Sequence, residues 1–174
     1  MSARELLRRG IAAYAARDLE PRSGERAGFE GGARWMARAM GAPLGDEAAS
    51  LASRVLWVKY GASLAAAVGA GAIACKIHPI AGAAAFVVAF YAVEVQGVFV
   101  VPLVIQGERA PFRRSRALAC APGGTVRALA TVMPIAGWML FAGPFRGFTQ
   151  AWCEGCLAAL AWFEDSRDVE AARA

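Results

Sequence analysis

The chain is short of the residues on which most metal and cofactor chemistry depends. Its 174 residues include one histidine, His78, and four cysteines, and only 19% are charged. Zinc needs three or four His, Cys or carboxylate ligands converging on one point. His78 has no second ligand at a useful spacing, and Cys75, Cys120, Cys153 and Cys156 fall in different parts of the chain. Haem is excluded on the same ground: Cys153-x-x-Cys156 is followed by Leu157 instead of histidine, and no histidine pair exists for axial ligation. No motif names a cofactor, so the cofactor is unknown from sequence. Base-reading motifs and aromatic stacking patterns are also missing, which argues against nucleic acid as a partner despite a net charge of +5. Residues Met1 to Glu20 are charged throughout and lack an apolar stretch, so no cleavable signal peptide is predicted and the first apolar span serves as its own insertion signal.

What the chain has instead is hydrophobicity in long runs. Hydrophobic residues make up 57%, and the mean hydropathy of +0.40 lies above the soluble norm. Ile77 to Gln106 carries Glu94 as its only formal charge, Val55 to Cys75 precedes it, and Val126 to Phe148 follows an arginine-rich gap. Runs of this length predict transmembrane helices. Nine arginines precede the first span (Arg4, Arg8, Arg9, Arg17, Arg22, Arg26, Arg34, Arg38 and Arg54), and five more (Arg109, Arg113, Arg114, Arg116 and Arg127) fill the gap after the second. The hairpin Lys76-Ile77-His78-Pro79 carries only Lys76. Positive residues stay on the cytoplasmic side, so the amino terminus and the 106–127 loop are expected inside, and the hairpin outside, in the inner membrane of a bacterial cell. The pI near 9.4 then points to anionic lipid headgroups as partners.

The expected fold is all-α: a polytopic membrane bundle of three to four transmembrane helices over 55–163. Residues 1–54 are expected as a cytoplasmic interfacial collar of short amphipathic helices, and 164–174 as a charged cytoplasmic tail. In the collar, Leu6, Leu7, Ile11, Tyr14 and Leu19 recur at roughly helical spacing among arginines, the pattern of a helix lying on the inner leaflet. A second short helix is predicted around Ala33 to Met40 after the glycine-rich Gly28 to Gly32, and Asp46 is the predicted cap of the first span. Phe148 to Phe163 gives only about 24 Å of helix and is interrupted by Glu154. The preferred reading is a fourth pass, with both termini inside and Arg146 in a tight outer hairpin. Gly61, Ala65, Gly69 and Ala72 form a smooth face on the first span, matched by Gly82, Ala85 and Ala89 on the second. Pro102 and Pro134 are predicted to kink their helices.

Glu94 needs a partner, because a lone carboxylate deep in a membrane costs about 2.5 to 3.5 kcal/mol. A turn at 77–78 puts Lys59 about eighteen residues before it and Glu94 about sixteen after, which levels the two to within about 3 Å. The prediction is an intramembrane ion pair, with Tyr91 one turn earlier as a hydrogen-bond donor to the carboxylate. The pair is read either as a lock on helix register or as a proton or ligand site. Gln96 is expected on the opposite face, in contact with another helix.

Two further constellations carry chemistry. Trp152-Cys153-Glu154-Gly155-Cys156 resembles the redox motif of thioredoxin-like enzymes, though helix-length apolar runs replace the strand that fold requires. In helix count and in the Cys-x-x-Cys spacing the chain resembles more closely the small four-helix membrane oxidoreductases of the disulfide-bond-forming B and vitamin K epoxide reductase type. That resemblance implies thiol-disulfide exchange at Cys153 and Cys156 and a second cysteine pair on the same side, whereas here Cys75 is expected outside and Cys120 inside. The other reading of these thiols is inert helix packing. The inner loop sets Arg113, Arg114, Arg116 and Arg127 around Ala121-Pro122-Gly123-Gly124-Thr125, where Thr125 is expected to cap the third span. That arrangement predicts a contact for anionic headgroups or phosphate, against the plainer reading of positive-inside topology with a flexible turn. Two function classes follow. One is a noncatalytic accessory or assembly subunit that packs on other integral membrane proteins or on itself. The other is a membrane-embedded enzyme working either at the cysteines or on lipid phosphates at the arginine loop.

Overall fold

The computed structural model describes residues 2–16, 19–25, 28–120 and 123–172. The readings at Arg17, Arg26, Ala121, Pro122 and the last two residues of the tail lie outside the described residues. Among the described residues all regular elements are helical, with no strand. The helices are α1 (Ala3–Ala16), α2 (Gly28–Ala39), α3 (Asp46–Cys75), α4 (Pro79–Glu94), α5 (Val100–Ile105), α6 (Pro111–Cys120), α7 (Gly124–Phe141), α8 (Gly143–Arg146) and α9 (Phe148–Ala171). Three stretches are long and apolar enough to cross a membrane: α3, the near-continuous run Pro79–Ile105, and α7.

Local chemistry sets the helix ends. Pro79 occupies the first turn of α4, where its missing N–H costs nothing, and His78 Nδ1 accepts the Ile80 amide at 3.2 Å. The lone histidine is thus a helix cap. Asp46 is not the cap of α3: Gly45 takes that place without a side-chain bond, and Asp46, already helical, pairs with Arg34 Nη2 at 2.7 Å. Thr125 is likewise inside α7, whose N-cap is Gly123; its hydroxyl lies 3.9 Å from Cys120 Sγ. α2 starts at Gly28, earlier than the glycine content suggested, because Gly31 lies so close to the Glu25 backbone that a Cβ there would sit 2.8 Å from its carbonyl oxygen. The break expected at Pro102 falls just before it. A 3-10 turn over Val95–Gly97 separates α4 from α5, and the Phe99 amide donates to the buried Ser115 hydroxyl at 3.0 Å. α7 runs on through Pro134.

α3 and α4 form a long antiparallel hairpin. Lys59, Ser63, Ala67 and Gly71, every fourth residue, are the buried positions of α3 from Lys59 onward. Gly71 lies against Phe86, and Gly82 lies against Cys75. The smooth face that α4 uses is therefore not Gly61, Ala65, Gly69 and Ala72, which are exposed. A Cβ on Gly61 or Gly69 would meet nothing within 4 Å. Leu64, Val68, Ile73, Ile80, Val87 and Val88 are exposed as well, so the hairpin is apolar on its outer sides.

The core lies around α9, which has eleven buried residues, including Leu157, Ala158, Ala161, Trp162 and Phe163. Phe99 from the α4–α5 junction meets Trp162 and Phe163 at ring-centroid distances of 4.9 and 5.4 Å. Ala128, Val132 and Ile135 of α7 close the same cluster. The amino-terminal helices, expected as a peripheral collar, pack onto this core. Leu6 is buried in it, Arg9 Nη1 bonds both Asp165 oxygens at 3.0 Å, and Gly10 abuts Glu154 and Ala158. α1 thus runs antiparallel along α9. Trp35 of α2 is buried and donates to the Leu19 carbonyl at 2.7 Å.

Gly10→Ala would place a methyl 2.4 Å from the Glu154 carbonyl oxygen. It should part α1 from α9 and lower stability by about 1–3 kcal/mol. Gly69→Ala adds its methyl in open space and should leave the melting temperature unchanged or raised. Thermal unfolding in detergent, followed by circular dichroism, reads both.

Candidate functional site: two buried carboxylates

Burial of a carboxylate is costly enough that its surroundings report what holds it. Lys59 Nζ lies 2.5 Å from Glu94 Oε1, and both side chains are almost wholly enclosed. From this level α3 and α4 each continue for about 24 Å of helix to the turn, which is the height match that equal helix lengths dictate. Gly97 leaves room for the lysine stem: a Cβ there would sit 3.3 Å from Lys59 Cγ and Cδ. The ammonium also lies 5.1 Å from the Tyr60 ring centroid, and Tyr60 stacks on Phe29 of α2.

Tyr91 does not donate to Glu94. Glu94 Oε2 has no hydrogen-bond partner, and the Tyr91 ring sits edge-on to Phe90 at 5.3 Å. The Gln96 side-chain amide donates to the Ala92 carbonyl of α4 at 3.0 Å.

The second carboxylate, Glu154, is read from sequence only as an interruption of an apolar stretch, yet it is completely buried and fully bonded. Trp138 Nε1 donates to Oε2 at 2.9 Å. Gln150 Nε2 donates to Oε1 at 2.9 Å, and Arg146 donates to the same oxygen from Nη2 at 2.9 Å and Nε at 3.2 Å. Arg146 also lies over the Trp138 ring at 5.8 Å. The sequence does carry a signal for this cluster: a lone acid in an apolar helix, with an arginine across the preceding turn and a glutamine one helical turn earlier. Donor supply follows from the sharp α7–α9 connection, where Gly147 with φ of +86° lets the chain reverse.

Cys153 and Cys156 are free thiols, the first buried and the second half-buried. They pack with Leu19, Trp35, Ala39, Leu157 and Leu160. Cys75 is exposed beside the hairpin turn, while Cys120 lies next to Thr125. Of the arginines, Arg114 is occupied by a two-pronged ion pair with Glu170. Arg113, Arg116 and Arg127 are exposed, and Arg127 folds back over Gly123. Arg113, Arg114 and Arg116 are spread around α6, where successive residues turn by about 100°, and Arg127 belongs to α7. Among the described residues no group of three or more His, Cys, Asp or Glu is placed to hold a metal.

Outside the spans, Arg38 holds Glu25 through two nitrogens at 3.0 and 2.7 Å. That bond, aided by the Arg22 amide, holds the Glu25 carboxyl below its ordinary value of 4.5 against the opposing effect of burial. A depressed folded value means the stabilisation is present above the unfolded value and is lost as pH falls through the folded one. Acid melts in detergent should therefore show a loss of stability below about pH 4.5 that Glu25→Gln reduces.

Comparison with protein-family models, with curated proteins and with solved structures finds no match to this chain. The fold and the two carboxylates define its class by themselves: an all-helical protein with three helices apolar enough to span a membrane and acidic side chains buried inside.

Removing one partner of a buried ion pair costs about 3–5 kcal/mol, since the other charge is left alone. Glu94→Ala and Lys59→Ala should each lose that much stability, and the charge-swapped double variant should recover part of it. Equal melting temperatures for wild type and Glu94→Ala would mean the pair holds nothing together.

Proposed function

We propose that the chain is a noncatalytic integral membrane subunit whose α3–α4 hairpin packs against another membrane protein or a second copy of itself. The observation that carries this reading is the outward face of the hairpin. Gly61, Ala65 and Gly69 are exposed at four-residue spacing along a helix whose opposite face is already used by α4. Small residues at this spacing let two helix backbones approach closely, which drives helix association where lipid removes the hydrophobic incentive.

The proposed placement is the cytoplasmic membrane of a bacterial cell. The amino terminus and the 106–127 segment lie inside, the hairpin turn lies outside, and the exposed Arg113, Arg116 and Arg127 contact anionic headgroups. A fourth passage by α9, with the carboxy terminus inside, takes α1, which lies along it, into the membrane as well. Thiol chemistry has little support: Cys153 is buried in an apolar cluster, whereas a reactive cysteine is exposed.

Extracted from native membranes in mild detergent, the chain should run as a stoichiometric complex larger than one copy. Gly69→Leu should dissociate that complex while leaving the melting temperature of the isolated chain unchanged. Native chain that runs alone would overturn the subunit reading. For topology, reporters at the amino terminus and at Ala119 should register inside, and one at Ile77 outside; a reversed reporter at any of the three would overturn the orientation.

A further inference from the structure

The outward face of α3 carries more order than its small residues alone. Val58, Gly61, Ala65, Val68, Ala72 and Cys75 follow one another at alternating steps of three and four, and all six are exposed. That alternation is the a/d repeat of a coiled-coil seam. It lies opposite Lys59, Ser63, Ala67 and Gly71, the stripe buried against α4, so the chain itself leaves the seam uncovered. None of the six is charged, and together they cover about 26 Å of helix, close to the hydrocarbon thickness of a bilayer.

The two borders of the seam differ in size. On one side stand Trp57, edge-on to Phe29, and Leu64, which are 68% and 51% exposed. On the other, at the matching heptad positions, stand Ala62 and Gly69, exposed as well. In a parallel pair of helices each residue at g lies beside the residue five positions later on the partner. Trp57 then lies beside the partner's Ala62, and Leu64 beside the partner's Gly69, where an added Cβ meets nothing within 4 Å in the single chain. Large residues meet small ones, and two-fold symmetry repeats each contact on the other side of the seam.

Toward the amino end the seam continues through Arg54, Leu51 and Glu47, all exposed. Arg54 is about 31 Å of helix from Cys75, so these charges fall beyond the hydrocarbon. Arg54 Nη2 lies 3.5 Å from Ser50 Oγ, one turn nearer the amino end, and so inclines toward the level of Glu47. Across a parallel pair each Arg54 inclines toward the partner's Glu47. The surface is complementary to itself in charge as well as in size.

We propose that the partner of α3 is a second copy of this chain, with the two α3 helices parallel about a two-fold axis normal to the membrane and the seam from Val58 to Cys75 of each facing that of the other. A period of 3.5 residues makes the crossing left-handed, at about 20° as in most membrane bundles. This deepens the subunit reading above and rests on it, since it names what covers the face on which that reading stands.

Cys75 closes the seam near the hairpin turn, and the axis brings it beside the partner's Cys75. Native membranes are treated with copper phenanthroline as oxidant and run without reductant. A band at twice the 18.2 kDa of the chain should form, disappear on reduction and be absent in Cys75→Ser. In the Cys75→Ser background Ala65→Cys should restore it, whereas Val88→Cys, at an exposed position of α4, should not. Register is read on the purified chain by sedimentation equilibrium in mild detergent. Gly69→Leu should weaken dimerisation about tenfold by meeting the partner's Leu64, and adding Leu64→Ala to it should recover most of the loss. A double variant no tighter than Gly69→Leu alone would overturn the proposal, as would a dimer band from Val88→Cys and none from Cys75. A native chain that runs in a larger complex yet gives no Cys75 dimer defeats this proposal and leaves the subunit reading standing. One that runs alone and gives no dimer defeats both.

Discussion

The contact between Lys59 and Glu94 sits where two parts of the molecule with different needs meet. Toward the turn, the hairpin buries only small residues between its helices and turns its large apolar side chains outward. In the other direction, α3 and the α4–α5 run enter a packed body built on Phe99, Trp162 and Phe163. Two charges in such surroundings are tolerable only together, and only at one relative height of the helices. A slip of one residue would slide the partners by about 1.5 Å and rotate them by about 100°, uncovering both. The pair thus sets the register of the hairpin, and the hairpin sets where Phe99 meets α9. With one glutamate oxygen unbonded and a lysine that acts as a point charge, the lock is a single contact.

Glu154 shows the other way of keeping a carboxylate inside. Three donor side chains from α7, the α8 segment and α9 divide its two oxygens, so this charge is held by a network spanning two helices and the corner between them. Such a network fixes geometry more tightly than one contact, because each donor constrains a different direction. The corner it fixes is the one against which α1 ends.

Much of this was legible in the sequence, and the limits are physical. Runs such as Ile77–Gln106 declare helices because a membrane-length apolar stretch has few other uses. The common height of Lys59 and Glu94 follows from counting residues on either side of a turn. What counting does not reveal is azimuth. The stripe Gly61/Ala65/Gly69 and the stripe Ser63/Ala67/Gly71 are equally smooth, and only the neighbouring helix decides which is used. The same ambiguity separates Arg114, which meets Glu170 of α9, from Arg113 beside it, which faces outward. The position of α1 was hidden for a different reason: an amphipathic helix rich in arginine satisfies an inner leaflet and a bundle wall about equally well, and the deciding feature was Gly10, a missing side chain. Glu154 was read as a flaw in an apolar segment because two of its three donors, Arg146 and Trp138, come from 8 and 16 residues away, beyond the reach of helical spacing.

The central position of α9 has a consequence for how the molecule is made. The core helix α9 is synthesised after the other helices described here, and α1, which lies along it, before them. At about 5–20 residues per second, the amino-terminal helix waits several seconds or longer for the surface it will cover, while the α3–α4 hairpin, whose contacts are local, can close as soon as it emerges. Through that interval Leu6 and Trp35 have no permanent shelter. The nascent chain therefore passes through a stage in which α2 can already rest on α3 while α1 lacks the surface it will cover, until α9 packs against elements already in place.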